Sequence, residues 1–184
     1  KIFNFFYQCK RYWYTIRYLK LSQLFWRLYY LFYEPKVRLN DWPLPSNSKN
    51  LAIAPLQRKR CYIGDGKFLF LSRVLNIQET GWNSDRYPKL WMYQLNYFDF
   101  LMQDLSDSET SDVCKLLSDW VQKNNVGKGP TWEPYPISLR VVNMIKWILL
   151  GNRVPEEIER SLVLQVRYLK KKIEWHIEGN HLLA

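Results

Sequence analysis

The chain has 184 residues, 47% hydrophobic and 24% charged, a composition that excludes a disordered tail; Gly 7, Pro 9 and Cys 3 exclude collagen-like, low-complexity and disulfide-scaffold classes. Lys and Arg number 27 against 17 Asp and Glu, a formal net charge of +10, and 17% of the residues are aromatic. A basic, ring-rich surface suits an anionic partner with flat faces for stacking, an acidic polysaccharide or a single-stranded nucleic acid, and composition does not choose between them.

The sequence opens on Lys1 and closes on the apolar run His181-Leu182-Leu183-Ala184, which has no Gly, Asn or Pro to stop it; the expectation is a chain cut inside a helix. The first segment carries Lys10, Arg11, Arg17, Lys20 and Arg27 among its rings, so no secretory signal is visible. No window reaches the roughly 18 apolar residues of a spanning helix, and no transmembrane segment is expected. Between Tyr14 and Tyr33, Leu21, Leu24, Phe25, Leu28, Leu31 and Phe32 recur at three- and four-residue steps, which predicts an amphipathic helix ended by Pro35. Its stripe reads as core, with a membrane surface as the alternative for so basic and aromatic a helix. Asn40 to Pro55 reads as a linker, so residues 1–55 form a helix and linker, and residues 56–184 a helical domain.

Cys61-Tyr62-Ile63 and Phe68-Leu69-Phe70-Leu71 flank Gly64-Asp65-Gly66, which predicts a short β-hairpin and no further β structure. Trp91, Leu95, Phe98, Met102 and Leu105 make one helical stripe, and the acidic turn from Asp104 to Asp112 leads to a second through Val113, Leu116, Leu117, Trp120 and Val121, the two forming a hairpin. Val141, Val142, Ile145 and Leu149 mark a helix ended by Gly151; Pro155 opens another through Ile158, Leu162, Val166, Leu169 and Ile173 to Ile177. The fold class is mainly α, an incomplete α/α toroid of helical hairpins with a small β-hairpin. Cys9, Cys61 and Cys114 read as ordinary buried thiols.

Three clusters carry polar chemistry. Trp132, Glu133 and Tyr135, stiffened by Pro134 and Pro136 and followed by Arg140 and Asn143, have the makings of a sugar subsite: rings to stack, and Glu, Arg and Asn for hydroxyls and carboxylates. The alternative is a packed helix entry with Glu133 as a cap or salt-bridge partner. Tyr93, Asn96 and Tyr97 share one helical face, either a binding edge or core. Around Gly179, His176 and His181 are five apart and off a common helical face, which argues against a metal; Asn180 and His181 would instead project into a cleft, or Gly179-Asn180 is a plain helix stop.

The segment Tyr14-Thr15-Ile16-Arg17-Tyr18-Leu19-Lys20, with Gln23 and Arg27-Leu28, and the runs Leu90 to Asp99, Trp132 to Arg140 with Asn143 and Lys146-Trp147, and Gly179-Asn180-His181-Leu182 resemble motifs of heparinase II/III-like proteins, in the same order. The resemblance implies a toroid followed by a β-sandwich domain absent from this chain, and a lyase that cleaves uronate-containing polysaccharide by β-elimination without a cofactor or metal. It assigns Asn180 to neutralising the uronate carboxylate and His181 to base or cleft-orienting duty. The candidate substrate-binding residues are those of the two ring-bearing clusters, Trp132, Glu133, Tyr135, Arg140, Asn143, Tyr93, Asn96 and Tyr97. The family's catalytic Tyr and further His lie downstream of its Asn-His motif, so the chain is expected to be inactive alone. The partners implied are an acidic polysaccharide and the remainder of the same polypeptide, in a periplasmic setting; with no export signal visible, the cytoplasm stays open. A non-catalytic glycan-binding or surface-polysaccharide assembly role is the rival. Nucleic acid is disfavoured, because Lys170-Lys171-Lys172 lies on a helix whose other face is regular core.

Overall fold

The computed structural model describes residues 10–14, 16–37, 58–173 and 175. The linker read at Asn40 to Pro55, Cys9 and the end of the chain from His176 lie outside them. The fold is mainly helical with one small antiparallel sheet. No helix among the described residues is long and apolar enough to cross a membrane.

Helix α1 spans Leu21–Phe32. Its residues run exposed or half-exposed, with Leu21 at 85%, Phe25 at 60% and Phe32 at 87% exposure, so the stripe read as core points outward. What fastens α1 is its other side, where the Tyr30 hydroxyl donates to the carbonyl of Ile173 at 2.5 Å.

Strands β1 (Lys67–Phe70) and β2 (Arg73–Asn76) pair antiparallel, Phe70 opposite Arg73. The expected partner of β1, the Cys61–Ile63 segment, is reduced to a single bridge between Tyr62 and Phe68. The true turn is Leu71-Ser72, both with positive φ (52° and 59°), the geometry of the tight hairpin turn that Asn-Gly usually supplies. Without that signature, nothing in the sequence announces β2. Gln103 holds the displaced segment: its side-chain oxygen accepts from the Cys61 and Tyr62 amides at 3.0 Å each, and its amide donates to the Tyr62 carbonyl at 2.9 Å. A side chain thus replaces a strand.

After the helical turn α2 (Ile77–Thr80), helix α3 runs Lys89–Asn96. The stripe from Trp91 to Leu105 predicts one helix, but Phe98 takes a left-handed φ of 58° and the chain continues as a 3-10 turn, Asp99–Met102. Phe98, Phe100 and Leu101 are all buried at the break, and their apolar repeat comes from two elements meeting one core. Helix α4 (Asp107–Lys123) starts on a capping box in which the Ser106 hydroxyl accepts from the Glu109 amide and Glu109 reaches back to the Ser106 amide. The 3-10 turn Pro130–Trp132 leads into α5 (Pro134–Leu149), and Pro155 precedes α6 (Glu156–Lys171), whose first turn is acidic and last turn basic, complementing the helix dipole. Packing is extensive between α5 and α6, α4 and α6, and α3 and α5. The predicted hairpin of α3 with α4 is absent from that set.

The core is a chain of rings. Phe68 meets Phe100 at 5.2 Å, Phe100 meets Phe98 at 5.2 Å, Phe98 meets Trp120 at 5.7 Å, Trp120 meets Trp132 at 6.0 Å, and Trp132 meets Tyr168 at 5.2 Å, linking the sheet to α6. Such pairs add ~1 kcal/mol each beyond the area they bury. Cys61 lies among these groups, its thiol pushed up to about 12 by burial, while Cys114 is half-buried.

Asn83 ties the loop before α5 together, bonding Asn124 at 2.8 Å and the Thr131 hydroxyl at 3.1 Å. It sits where a Cβ on Gly129 would approach its side-chain oxygen to 2.8 Å, and Gly129 has φ +73°. Gly129→Ala is expected to cost ~2–3 kcal/mol in urea denaturation, from backbone strain plus the displaced Asn83. Gly64→Ala, with φ +93° and open space around the added carbon, carries the backbone penalty alone, ~1 kcal/mol. Equal losses would show that the Asn83 contact contributes nothing.

Candidate functional site

The sequence-predicted binding residues divide into a surface row and a buried set. Tyr93 and Tyr97, four apart, project from one flank of α3, while Glu133 and Tyr135 come from the start of α5, where Pro134 and Pro136 stiffen the first turn. Tyr93 and Tyr97 lie 6.3 Å apart between ring centroids, and Tyr97 meets Tyr135 edge-on at 5.6 Å. Each of the three tyrosines is half-buried. Glu133 occupies the N-cap position of α5 without capping it. Its carboxylate instead accepts from the Tyr93 hydroxyl and from Lys89 Nζ at 2.8 Å, and the same ammonium lies 5.2 Å from the Tyr93 ring centre. Of the two local roles open to Glu133, it takes the salt bridge.

These contacts set the protonation of the row. Lys89 is held above its ordinary pKa, first by its hydrogen bond to Glu133 and then by Tyr93. Burial, then the hydrogen bond to Glu133, pushes the Tyr93 phenol up to about 12; burial, then the neighbouring Tyr135, pushes Tyr97 up to about 12. Near neutral pH the site therefore presents protonated phenols, an ammonium and a paired carboxylate. Protonated phenols donate hydrogen bonds and do not abstract protons.

The remaining four predicted residues face inward. Arg140 is 0% exposed, and its donors are engaged within the protein: Nε to Gln165 Oε1 at 2.6 Å, Nη1 to the Asn96 carbonyl at 3.1 Å and Nη2 to the Thr131 carbonyl at 3.0 Å. Its guanidinium lies 4.2 Å from the Trp120 ring centre and 5.5 Å from that of Phe98. Burial lowers its pKa to about 9, which leaves it charged at neutral pH. Asn96 donates to the carbonyls of Trp82 and Met92 at 3.1 and 2.8 Å and accepts from Trp120 Nε1 at 2.9 Å. Asn143 donates to the Tyr97 carbonyl at 2.8 Å and to Asp99 at 2.9 Å, caring for backbone released where α3 breaks. Trp132, 2% exposed, packs between Trp120 and Tyr168. Arg140, Asn96 and Asn143 direct their donors to groups of the protein, and the Trp132 indole N–H is buried without a hydrogen-bond partner, facing no open surface from which a ligand could reach it. The four act as the scaffold behind the tyrosine row.

Arg140 also explains why the inward faces of two helices differ from expectation. On α5 the buried positions include Ile137, Arg140, Val141, Asn143, Met144 and Trp147, while Val142 and Ile145 are 46% and 39% exposed. On α6 they are Ile158, Ser161, Gln165, Tyr168 and Leu169, with Val166 44% exposed. Gln165 accepts from Arg140 and in turn donates to Ser161 at 3.2 Å. Sequence reasoning misses Gln165, Thr131 and Lys89. The spacing of Lys89 and Tyr93, four apart on a helix, is the available signal for the last of these; a polar residue in an apolar stripe is the only one for Gln165.

Asn180 and His181, assigned catalytic roles by resemblance, lie outside the described residues. A groove of about 480 Å3 lined by Asp65, Asp112, Lys115, Asp119 and Lys123 includes none of the residues above. Four of its charges form two pairs, Lys115 with Asp112 at 3.0 Å and Lys123 with Asp119 at 2.7 Å. Comparison with known protein families, with curated proteins and with solved structures finds no match for the chain.

Arg140→Met keeps most of the volume but strands two carbonyls and Gln165, and is expected to lower unfolding free energy by ~2–4 kcal/mol while leaving the tyrosine row's composition unchanged. A neutral or stabilising result in chemical denaturation would overturn the scaffold role. The two raised phenols give a second expectation. A phenol bound more tightly to its proton in the folded state contributes stability that is full below pH 10 and lost as the pH rises toward about 12. Denaturation midpoints should fall across that window, and Tyr97→Phe should remove part of the fall.

Proposed function

We propose that the chain is the toroid part of a heparinase II/III-like polysaccharide lyase that acts on uronate-containing acidic polysaccharide by β-elimination and needs residues downstream of Ala184 for turnover. The observation that carries the reading is the meeting of two motif segments, Leu90–Asp99 and Trp132–Arg140, in one surface row of Tyr93, Tyr97 and Tyr135 beside the Lys89–Glu133 pair. Rings stack on sugar faces, phenol hydroxyls donate to ring and hydroxyl oxygens, Glu133 accepts from sugar hydroxyls, and Lys89 meets the uronate carboxylate.

β-Elimination needs the proton at C5, next to the carboxylate, to be acidified and removed, and the oxygen at C4 to leave with a proton. Asn180 is proposed to hydrogen-bond the carboxylate and stabilise the enolate-like charge that develops there, with His181 taking the proton or orienting the ring. The tyrosine row, whose phenols keep their protons, serves neighbouring sugars and not the base step. Arg140, Asn143, Asn96 and Trp132 support that row from behind.

The test uses the polypeptide encoded by the whole gene, incubated with a panel of acidic polysaccharides and followed by the ultraviolet absorbance of unsaturated uronate. Asn180→Ala is expected to slow product formation by about 100-fold or more, the loss of transition-state stabilisation at one site. Tyr97→Ala is expected to weaken oligosaccharide binding about tenfold, the loss of one stacking ring. No product on any polysaccharide, with Tyr97-dependent binding retained, would replace the lyase with a glycan-binding role. Loss of neither would reject both.

A further inference from the structure

The residues that precede Pro35 have an arrangement that the polysaccharide reading does not use. On α1, Leu21, Phe25, Leu28 and Phe32 fall on one flank, with 85%, 60%, 58% and 87% exposure. Burying that flank in the protein core is what a helical stripe normally achieves, yet this helix is docked by the opposite side through Tyr30. Just before it, Tyr12, Trp13 and Tyr18 are 63%, 68% and 73% exposed, and the Arg17 guanidinium lies 4.8 Å from the Tyr18 ring centre. A monomer in water gains nothing from holding so much apolar surface outward.

Charge selects the occupant. Every charged residue before Glu34 is basic, among them Lys10, Arg11, Arg17, Lys20 and Arg27. On the opposite side Tyr30 bonds the carbonyl of Ile173 and Lys171 Nζ donates to the carbonyl of Lys36 at 2.9 Å, which fastens the segment to the end of α6 and leaves the apolar flank outward. Exposed Trp175, at 47%, lies at the same junction. An outward apolar ridge bordered by Trp, Tyr and cations is the pattern of a helix lying in the headgroup layer, where Leu and Phe enter the acyl boundary, rings sit at headgroup level and Lys and Arg meet lipid phosphates. A protein partner would need acidic side chains set against each cation, whereas an anionic bilayer supplies that charge everywhere along its surface.

We propose that α1 and residues 10–14 and 16–20 before it form a peripheral docking face for an anionic membrane surface. The helix lies on the bilayer and does not cross it. The test is co-sedimentation of the 184-residue chain with vesicles of phosphatidylcholine alone and of phosphatidylcholine with phosphatidylglycerol. Binding is expected to the anionic vesicles only and to weaken with added salt. Phe25→Ser and Leu28→Ser are expected to lower partitioning about tenfold each, and Arg17→Glu about fivefold or more. Val126→Ser, a 44% exposed position outside this face, should leave it unchanged. Circular dichroism checks that the ridge variants keep their helix content. Equal binding to the uncharged vesicles, or binding insensitive to Phe25→Ser in a folded protein, would overturn the proposal. So would self-association lost in Phe25→Ser with no vesicle binding, which would give the face to a second copy of the chain.

Discussion

A guanidinium removed from water and given no carboxylate is the constraint around which this fold is organised. Removing an ion from water costs several kcal/mol even after relaxation, so Arg140 is tolerated where each of its three nitrogens finds an acceptor and its plane lies near the rings of Trp120 and Phe98. Meeting them requires the carbonyl at the end of α3, the carbonyl of the turn before α5, Gln165 on α6 and the indole of Trp120 on α4 to converge on one point. Four helices and a 3-10 turn are thereby referred to a single charge. Hydrophobic packing among the rings would hold these elements together in several registers; the planar fork of Arg140 accepts one.

The same constraint accounts for what the sequence conceals. Helix α4 begins at Asp107, inside the stretch from Asp104 to Asp112 that reads as a turn, and α5 at Pro134, ahead of the stripe that opens at Val141; of these three, the start of α6 is legible, because the chemistry of Pro155 is local. The inner faces of α5 and α6 are not, since the stripe rule counts apolar residues and the deciding residue on each helix is polar, Arg140 on one and Gln165 on the other. Two breaks are equally hidden. Phe98 and the pair Leu71-Ser72 adopt left-handed backbone without Gly or Asn, conformations their own side chains disfavour and only burial or pairing elsewhere makes worthwhile. The stripe of α1 is legible as a stripe, but periodicity does not say which medium it faces.

For the candidate site the sequence supplies the residues and the structure sorts them. Spacing puts Tyr93, Asn96 and Tyr97 on one helical face, yet Asn96 is turned to the core and the two tyrosines to the surface, where Tyr135 and Glu133 join them. Half of the residue types that suit a sugar subsite also suit a buried polar scaffold, since both need side chains with several hydrogen bonds to give. Burial is what separates them. Asn143 and Arg140 join the scaffold to the row's helix, each holding a carbonyl at the C-terminal end of α3, Tyr97 and Asn96 respectively.

The clasp of Gln103 on Cys61 and Tyr62 carries a consequence for how the molecule opens. Its oxygen and amide satisfy the backbone of a segment some forty residues earlier, from a position at the end of the 3-10 turn that follows Phe98. The Cys61 and Tyr62 amides are therefore gated by the helical core, although they lie next to a sheet of only two strands. In amide hydrogen exchange they are expected to open with the helices, and the amides around Leu71 and Ser72, at the tip of the hairpin, to exchange faster. The bridge between Tyr62 and Phe68 would thus mark the boundary between two cooperative units, the helical core on one side and the two-stranded sheet on the other.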